Sequence, residues 1–208
     1  MKTFVTRGIV LREVSVGEAD KILILLLKGH GKLGASAKGA RKSSSRFLDA
    51  AQLFTYSDLV ITQGRGFYTL AQADVIETFY GLSESYERLE AASRLARLCD
   101  KVIMEHEPCD DILRILLYSL RALCREKPPD LVSAAFNLKF LEYSGLAPDI
   151  EGFREGRAAR LSAGARQAAA YVLGSDVPNM FSFTAAPHVL AQLSAYAGTE
   201  IEEGLGVR

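Results

Sequence analysis

Ten consecutive residues, Lys38-Gly39-Ala40-Arg41-Lys42-Ser43-Ser44-Ser45-Arg46-Phe47, gather four cationic side chains, three hydroxyls, a glycine and an aromatic ring with no acid among them. The acid-free window is wider still. Between Asp20 and Asp49 the basic residues are Lys21, Lys28, Lys32, Lys38, Arg41, Lys42 and Arg46, with His30 in addition. Ammonium and guanidinium groups attract a polyanion, hydroxyls and glycine amides hydrogen-bond phosphate oxygens, and neither kind of contact reads a base sequence. The candidate phosphate contacts are Lys38, Arg41, Lys42, Arg46 and Lys32. The same run also reads as a solvated, mobile basic loop without a ligand.

No other constellation competes with it. His30, His106 and His188 lie far apart and lack a partnered motif. His106-Glu107-Pro108-Cys109 places two metal donors close together, whereas a structural zinc takes four. There is no Gly-x-x-x-x-Gly-Lys phosphate loop, and Gly29-His30-Gly31 and Gly64-Arg65-Gly66 read as turns. Asp110-Asp111 and Glu202-Glu203 read as helix caps and solvated termini rather than general acid–base pairs. Cys99, Cys109 and Cys124 are odd in number and sit in apolar helical patterns, so reduced core thiols are expected. The sequence favours no enzymatic chemistry, no catalytic residue, no metal and no cofactor.

The elements that must position the basic run are of two kinds. Residues 1–80 carry 11 basic and 7 acidic side chains, and residues 81–208 carry 14 and 18, so a neutral chain has a basic front and an acidic back. The front, residues 1–80, reads as five strands: Phe4–Val14 with Gly8 as a bulge site, Ile22–Lys28, Leu33–Ala37, then after the basic run Leu53–Thr62 and Phe67–Thr78. Imperfect alternation suits a small curved barrel better than a flat sheet, and five strands in this length match an OB barrel. Phe4, Phe47, Phe54, Tyr56, Phe67 and Tyr68 are the aromatic residues available for stacking on bases, most of them expected in the barrel core. The back, residues 81–208, reads as helices. Ser83 caps the first, with Leu89, Ala92, Ala96, Cys99 and Ile103 at helical spacing. Asp110 caps the second, which Pro128-Pro129 stops, and Asp130 caps the third, which Gly145 and Pro148 close. A polar loop spans about 149–160, and Ser162–Leu173 and Pro187–Tyr196 follow as helices, each followed by a glycine (Gly174, Gly198). The fold class is therefore α+β. No apolar run reaches the length of a membrane span, the six-residue segment Ile22–Leu27 fits a buried strand, and the N-terminus lacks a signal-peptide core, so a cytoplasmic protein with no membrane partner is expected.

In this order the features resemble the RecO family of bacterial recombination mediators. The resemblance is carried by Gly8-Ile9-Val10-Leu11, Gly17-Glu18-Ala19-Asp20-Lys21-Ile22-Leu23, Gly31-Lys32-Leu33, Ala37-Lys38-Gly39-Ala40-Arg41-Lys42-Ser43-Ser44-Ser45-Arg46 and Leu138-Lys139-Phe140-Leu141-Glu142-Tyr143-Ser144-Gly145-Leu146-Ala147-Pro148. It implies binding of single- and double-stranded DNA, annealing of complementary strands, and, with RecR, loading of RecA onto strands coated by single-stranded-DNA-binding protein (SSB). It implies a nucleoid-associated location and engagement of the acidic, phenylalanine-ended SSB tail. For that tail an apolar pocket with a cationic rim is expected, built from Leu116 and Leu120, with Leu138 and Leu141, and rimmed by Arg121, Arg125 and Lys139. Many members of the family carry a four-cysteine zinc site after the Gly-x-x-Pro segment. Here Asp149–Arg160 contains no cysteine, so the zinc module is shortened and lost, and Arg154, Arg157, Arg160 and Arg166 form either a second cationic surface or a solvated loop. Two other readings stand beside this one: an RNA-binding OB module using the same basic run, and a scaffold whose acidic helical half is the active part.

Overall fold

The computed structural model describes residues 2–148 and 157–206. Five strands, β1 (Lys2–Val16), β2 (Asp20–Leu27), β3 (Gly31–Ala37), β4 (Tyr56–Gln63) and β5 (Tyr68–Glu77), close into a barrel in the order β1-β2-β3-β5-β4. β1 is long enough to serve two neighbours. Lys2–Ile9 pairs with β4 and Gly8–Val16 with β2, both antiparallel. Gly8, paired to Leu27 and Ser57, sits where the three strands meet. A Cβ there would collide with Leu27 Cδ2 and lie 2.9 Å from the Leu26 carbonyl oxygen, so its glycine serves close approach. The bulge expected at Gly8 falls instead between Val10 and Arg12. Closure rests on a short parallel contact, Ala35↔Tyr68 and Ser36↔Thr69, beyond which β3 and β5 part.

Side chains alternate in and out of the barrel. The interior holds Val10, Leu23, Leu25, Leu27, Leu33, Ala35, Ala37, Leu59, Ile61 and Leu70, together with Ala40, Phe47 and Ala51 from the connection between β3 and β4. That connection is a chain of turns, and β4 begins at Tyr56, three residues later than the sequence suggested.

The chain divides into two compact units. One is Met1–Phe79 with Ala96–Leu113, and the other is Tyr80–Leu95 with Arg114–Arg208. The helices are α1 (Tyr86–Val102), α2 (Asp110–Cys124), α3 (Pro129–Tyr143), α4 (Ala163–Gly174) and α5 (Pro187–Gly204). Within the barrel unit, residues 96–113 are fastened to the strands. Asp100 receives Arg12 Nε at 2.7 Å and lies 3.6 Å from Lys32 Nζ, which also donates to the Asp100 carbonyl. Within the second unit, α3 is buried on nearly every side and contacts both α4 and α5. Such all-round apolarity marks a central helix.

Helix ends follow backbone chemistry more than the nearest polar residue. α1 is capped by Ser85, whose carbonyl accepts from Leu89 at 3.1 Å, while Ser83 turns back to the Tyr80 carbonyl. α3 starts at Pro129 with the Pro128 carbonyl accepting from Val132, so the proline pair opens this helix and Asp130 lies inside its first turn. Gly145 (φ +71°) ends it, with Leu146 N–H reaching the Leu141 carbonyl at 2.9 Å. Ser162 caps α4 as expected, accepting from Ala165 N–H at 3.2 Å, whereas α5 runs through Gly198 to Gly204.

Candidate nucleic-acid interface

The basic run folds as a chain of turns, and its fold follows from apolar residues spaced within it. Ala40, Phe47 and Ala51 enter the barrel core, and burying Phe47 alone is worth about 2–3 kcal/mol. Gly39 takes a positive φ of +69°, which lets its N–H reach Asp20 Oδ1 at 2.7 Å. Arg41 N–H bonds the Ala19 carbonyl at 2.9 Å, and its Nη1 bonds the Gly17 carbonyl at 2.8 Å. Farther along, Lys21 Nζ donates to the Ala51 carbonyl at 3.1 Å and to Glu13 at 2.5 Å. Phe54 N–H bonds the Val10 carbonyl at 3.0 Å, and Val10 N–H bonds Thr55. The β1–β2 turn and the β1 bulge thus hold the run at both ends.

Where β3 and β5 part, the run and β5 enclose an open cleft of about 400 Å³. Its cationic and hydroxyl lining comes from Lys38, Lys42, Arg46, Ser44 and Ser45, and its opposite wall from Thr69 and Ala71. Lys38, Lys42 and Arg46 are exposed, and among the described residues none of them has a carboxylate partner. Arg46 lies over the Phe47 ring, 4.7 Å from its centroid, so the buried ring fixes the base of this arginine. The cleft is therefore a preset cationic surface with hydroxyl donors and small residues facing it. Cations and hydroxyl donors of this kind are the groups that contact phosphate oxygens.

The structure brings together only some of the predicted residues. Lys38, Lys42 and Arg46 share the cleft, and Arg41, though exposed, spends one arm of its fork on Gly17. Lys32 is half-buried and engaged with Asp100, away from the cleft lining. Thr69 and Ala71 were not singled out from sequence; small or hydroxyl residues alternating with the inward Tyr68 and Leu70 were the available signal. Among the aromatics, Phe47, Phe54 and Tyr56 are buried, Phe4 and Tyr68 half-buried, and Phe67 is 58% exposed in the β4–β5 turn.

Of the seven residues expected to form a peptide pocket, the four leucines and Lys139 are buried. Leu116 and Leu120 have no exposed surface, and Lys139 is buried with its Nζ bonded to Glu142 Oε2 at 2.7 Å and the Leu173 carbonyl at 3.0 Å. Arg121 is half-buried beside the Tyr118 ring, and of these residues Arg125 alone is exposed. Leu138 and Leu141 are likewise interior. Arg157 pairs with Glu200 and Glu203, Arg166 donates to the Ala159 and Leu161 carbonyls, Arg160 is exposed, and Arg154 lies outside the described residues. Among the described residues no three metal-ligating side chains come together, and the stretch where a zinc module would sit lacks cysteine. Cys99 is buried, and burial raises its thiol pKa; Cys109, half-buried near Asp110 and Glu107, is pushed up to about 11.

Comparison with known proteins adds an independent line. Residues 1–79 match the family model described as recombination protein O N terminal, and residues 83–152 the one described as recombination protein O C terminal. A protein named DNA repair protein RecO from Acetivibrio thermocellus is 32% identical over 228 residues, covering 96% of this chain and 91% of that protein. Proteins of the same name from Alkaliphilus metalliredigens and Pelotomaculum thermopropionicum are each 38% identical, over 70% and 73% of this chain. The chain covers 59% of the length of both.

Proposed function

The chain belongs to the recombination protein O (RecO) family, and from that premise we propose that it is a DNA-repair mediator that grips DNA through the cleft beside β5. The supporting observation is the convergence of Lys38, Lys42 and Arg46 with Ser44 and Ser45 on a folded surface of an OB barrel, with no carboxylate partner for the three cations among the described residues. Contacts of this kind neutralise phosphates without reading sequence, so single and double strands both qualify as ligands. Two strands repel through their backbones, and a protein that neutralises phosphates lowers that repulsion while base edges stay free to pair. Annealing of complementary strands follows as the activity, with no covalent step and no cofactor. Within the family role, loading of RecA onto SSB-coated strands together with RecR, in the cytoplasm at the nucleoid, is the process this annealing surface serves. No helix of the described residues is long and apolar enough to cross a membrane.

The test is an annealing assay with complementary strands, bare and SSB-coated, at stated salt, with RNA of the same sequence as competitor. Accelerated annealing that weakens with salt supports the proposal. Absence of acceleration on both substrates, or strong preference for RNA, overturns it.

A further inference from the structure

At the end of the barrel away from the basic run, β1, β3 and β5 begin and β2 and β4 finish. A pocket of about 200 Å³ opens there, floored by Leu33 and walled by the rings of Phe4, His30, Tyr68 and His106, with Lys2 and Gln63 also lining it. The rings face one another. Phe4 lies 4.3 Å from His30 at 33°, and 6.4 Å from Tyr68 nearly edge-on, and Tyr68 lies 5.5 Å from His106.

This pocket is built. Gly29 N–H bonds Asp110 Oδ1 at 2.6 Å, His106 N–H bonds the Lys32 carbonyl at 3.0 Å, and Lys32 forms an isolated parallel β-bridge with Glu105. Gly31 has φ +69°, and a Cβ there would collide with the Glu107 backbone, so only glycine lets the 105–107 segment close over the mouth. His106 itself holds φ +64°. Among the described residues neither imidazole has a hydrogen-bond partner for its ring nitrogens, and Lys2 has no carboxylate partner.

We infer that this mouth receives one unstacked nucleobase, with Lys2 meeting its phosphate. Aromatic walls stack on any base, while imidazole nitrogens and the Gln63 amide can bond a base edge. An acidic peptide fits less well, because Lys2 is the single permanent cation in the lining. Tyr68 lines the mouth and the next residue, Thr69, lines the cleft, so one strand, β5, contributes to both. The inference rests on the cleft being a DNA site.

The experiment compares the full chain's affinity for an oligothymidylate and for an abasic strand of equal length, with one fluorescent base analogue as a stacking reporter. The wild type should prefer the base-bearing strand by about tenfold, as one base–aromatic stack provides. The variants Tyr68→Leu, which keeps an apolar stem, and His106→Asn, which tolerates positive φ, should together abolish that preference and the reporter's quenching. Abasic binding and its salt slope should not change. Wild-type binding of both strands with equal affinity overturns the pocket alone. Binding of neither strand overturns the DNA reading and the pocket with it. Displacement of the reporter by an acidic, phenylalanine-ended peptide while the strand stays bound at the cleft shows a peptide site instead and also overturns the inference.

Discussion

Replacing Lys38, Lys42 and Arg46 with alanine should remove three phosphate contacts from the cleft at once. For single-stranded DNA each contact contributes roughly 0.7 to the slope of log affinity against log salt, so the slope should flatten by about 2 units. Extrapolated from 1 M, the same term predicts a loss of about 100-fold at roughly 0.1 M salt, shrinking to about sevenfold at roughly 0.4 M. The gap between wild type and variant must therefore close as salt rises, which a folding defect would not reproduce. Stability should change by about 1–2 kcal/mol at most: each exposed substitution contributes up to about 0.5 kcal/mol, and the Arg46–Phe47 stack about as much again. The matched control carries the same change of charge in the other unit, Arg125→Ala, Lys127→Ala and Arg160→Ala, all at exposed positions. Fluorescence anisotropy over a salt series reads both. An unchanged slope in the cleft variant, or equal flattening in the control, would refute the assignment of phosphate contacts to this loop.

Gly8→Ala should destabilise the protein by about 1–3 kcal/mol, because the new methyl meets Leu27 and the Leu26 carbonyl where three strands converge; thermal unfolding measures it. Lys139→Ala should cost about 1–3 kcal/mol by leaving the Leu173 carbonyl and Glu142 unpartnered, the lower figure reflecting Glu142's partial exposure. Loss of peptide binding in that variant would thus report on folding, and Arg125→Ala is the cleaner probe of tail-peptide binding. The Cys109 thiol holds its proton more tightly folded than unfolded, so stability should fall as pH rises from about 9 towards 11, where only the unfolded chain has lost the proton. Denaturant titrations should show a shallower fall for Cys109→Ala. Elemental analysis should find no stoichiometric zinc, and chelators should leave the unfolding curve unmoved.

The barrel was readable because β-branched and apolar segments recur along residues 1–80, several of them bounded by turn glycines such as Gly17, Gly29 and Gly64. What escaped the sequence did so for physical reasons. Gly8 was legible as special but not as to why, since a bulge and a close approach both ask a strand for glycine. Lys32 stands in an acid-free window, yet its partner Asp100 is 68 residues away, and local charge counts see only local acids. The leucines of α2 and α3 repeat at helical spacing whether they face a groove or a core, so periodicity alone could not decide that Leu116 and Leu120 are interior. Ser83 and Ser85 are both good caps by residue type, and the 3-10 turn at Tyr80–Glu84 determines which is used.

The distinction between a mobile and a folded basic run bears on mechanism. A disordered cation-rich loop must be ordered when DNA binds, at roughly 1–2 kcal/mol of backbone entropy per residue fixed. Here Ala40, Phe47 and Ala51 incur that loss during folding, and the long side chains of Lys38, Lys42 and Arg46 alone remain to be placed. The cations are preset in position yet adaptable at their tips, which suits a backbone of changing base sequence. Annealing sets the opposite constraint on base contacts, because each base held by the protein is withheld from its complement. The proposed phosphate cleft and the proposed one-base mouth would together meet both constraints: the strand would be held by its backbone and in register at one base, with the remaining bases free to pair.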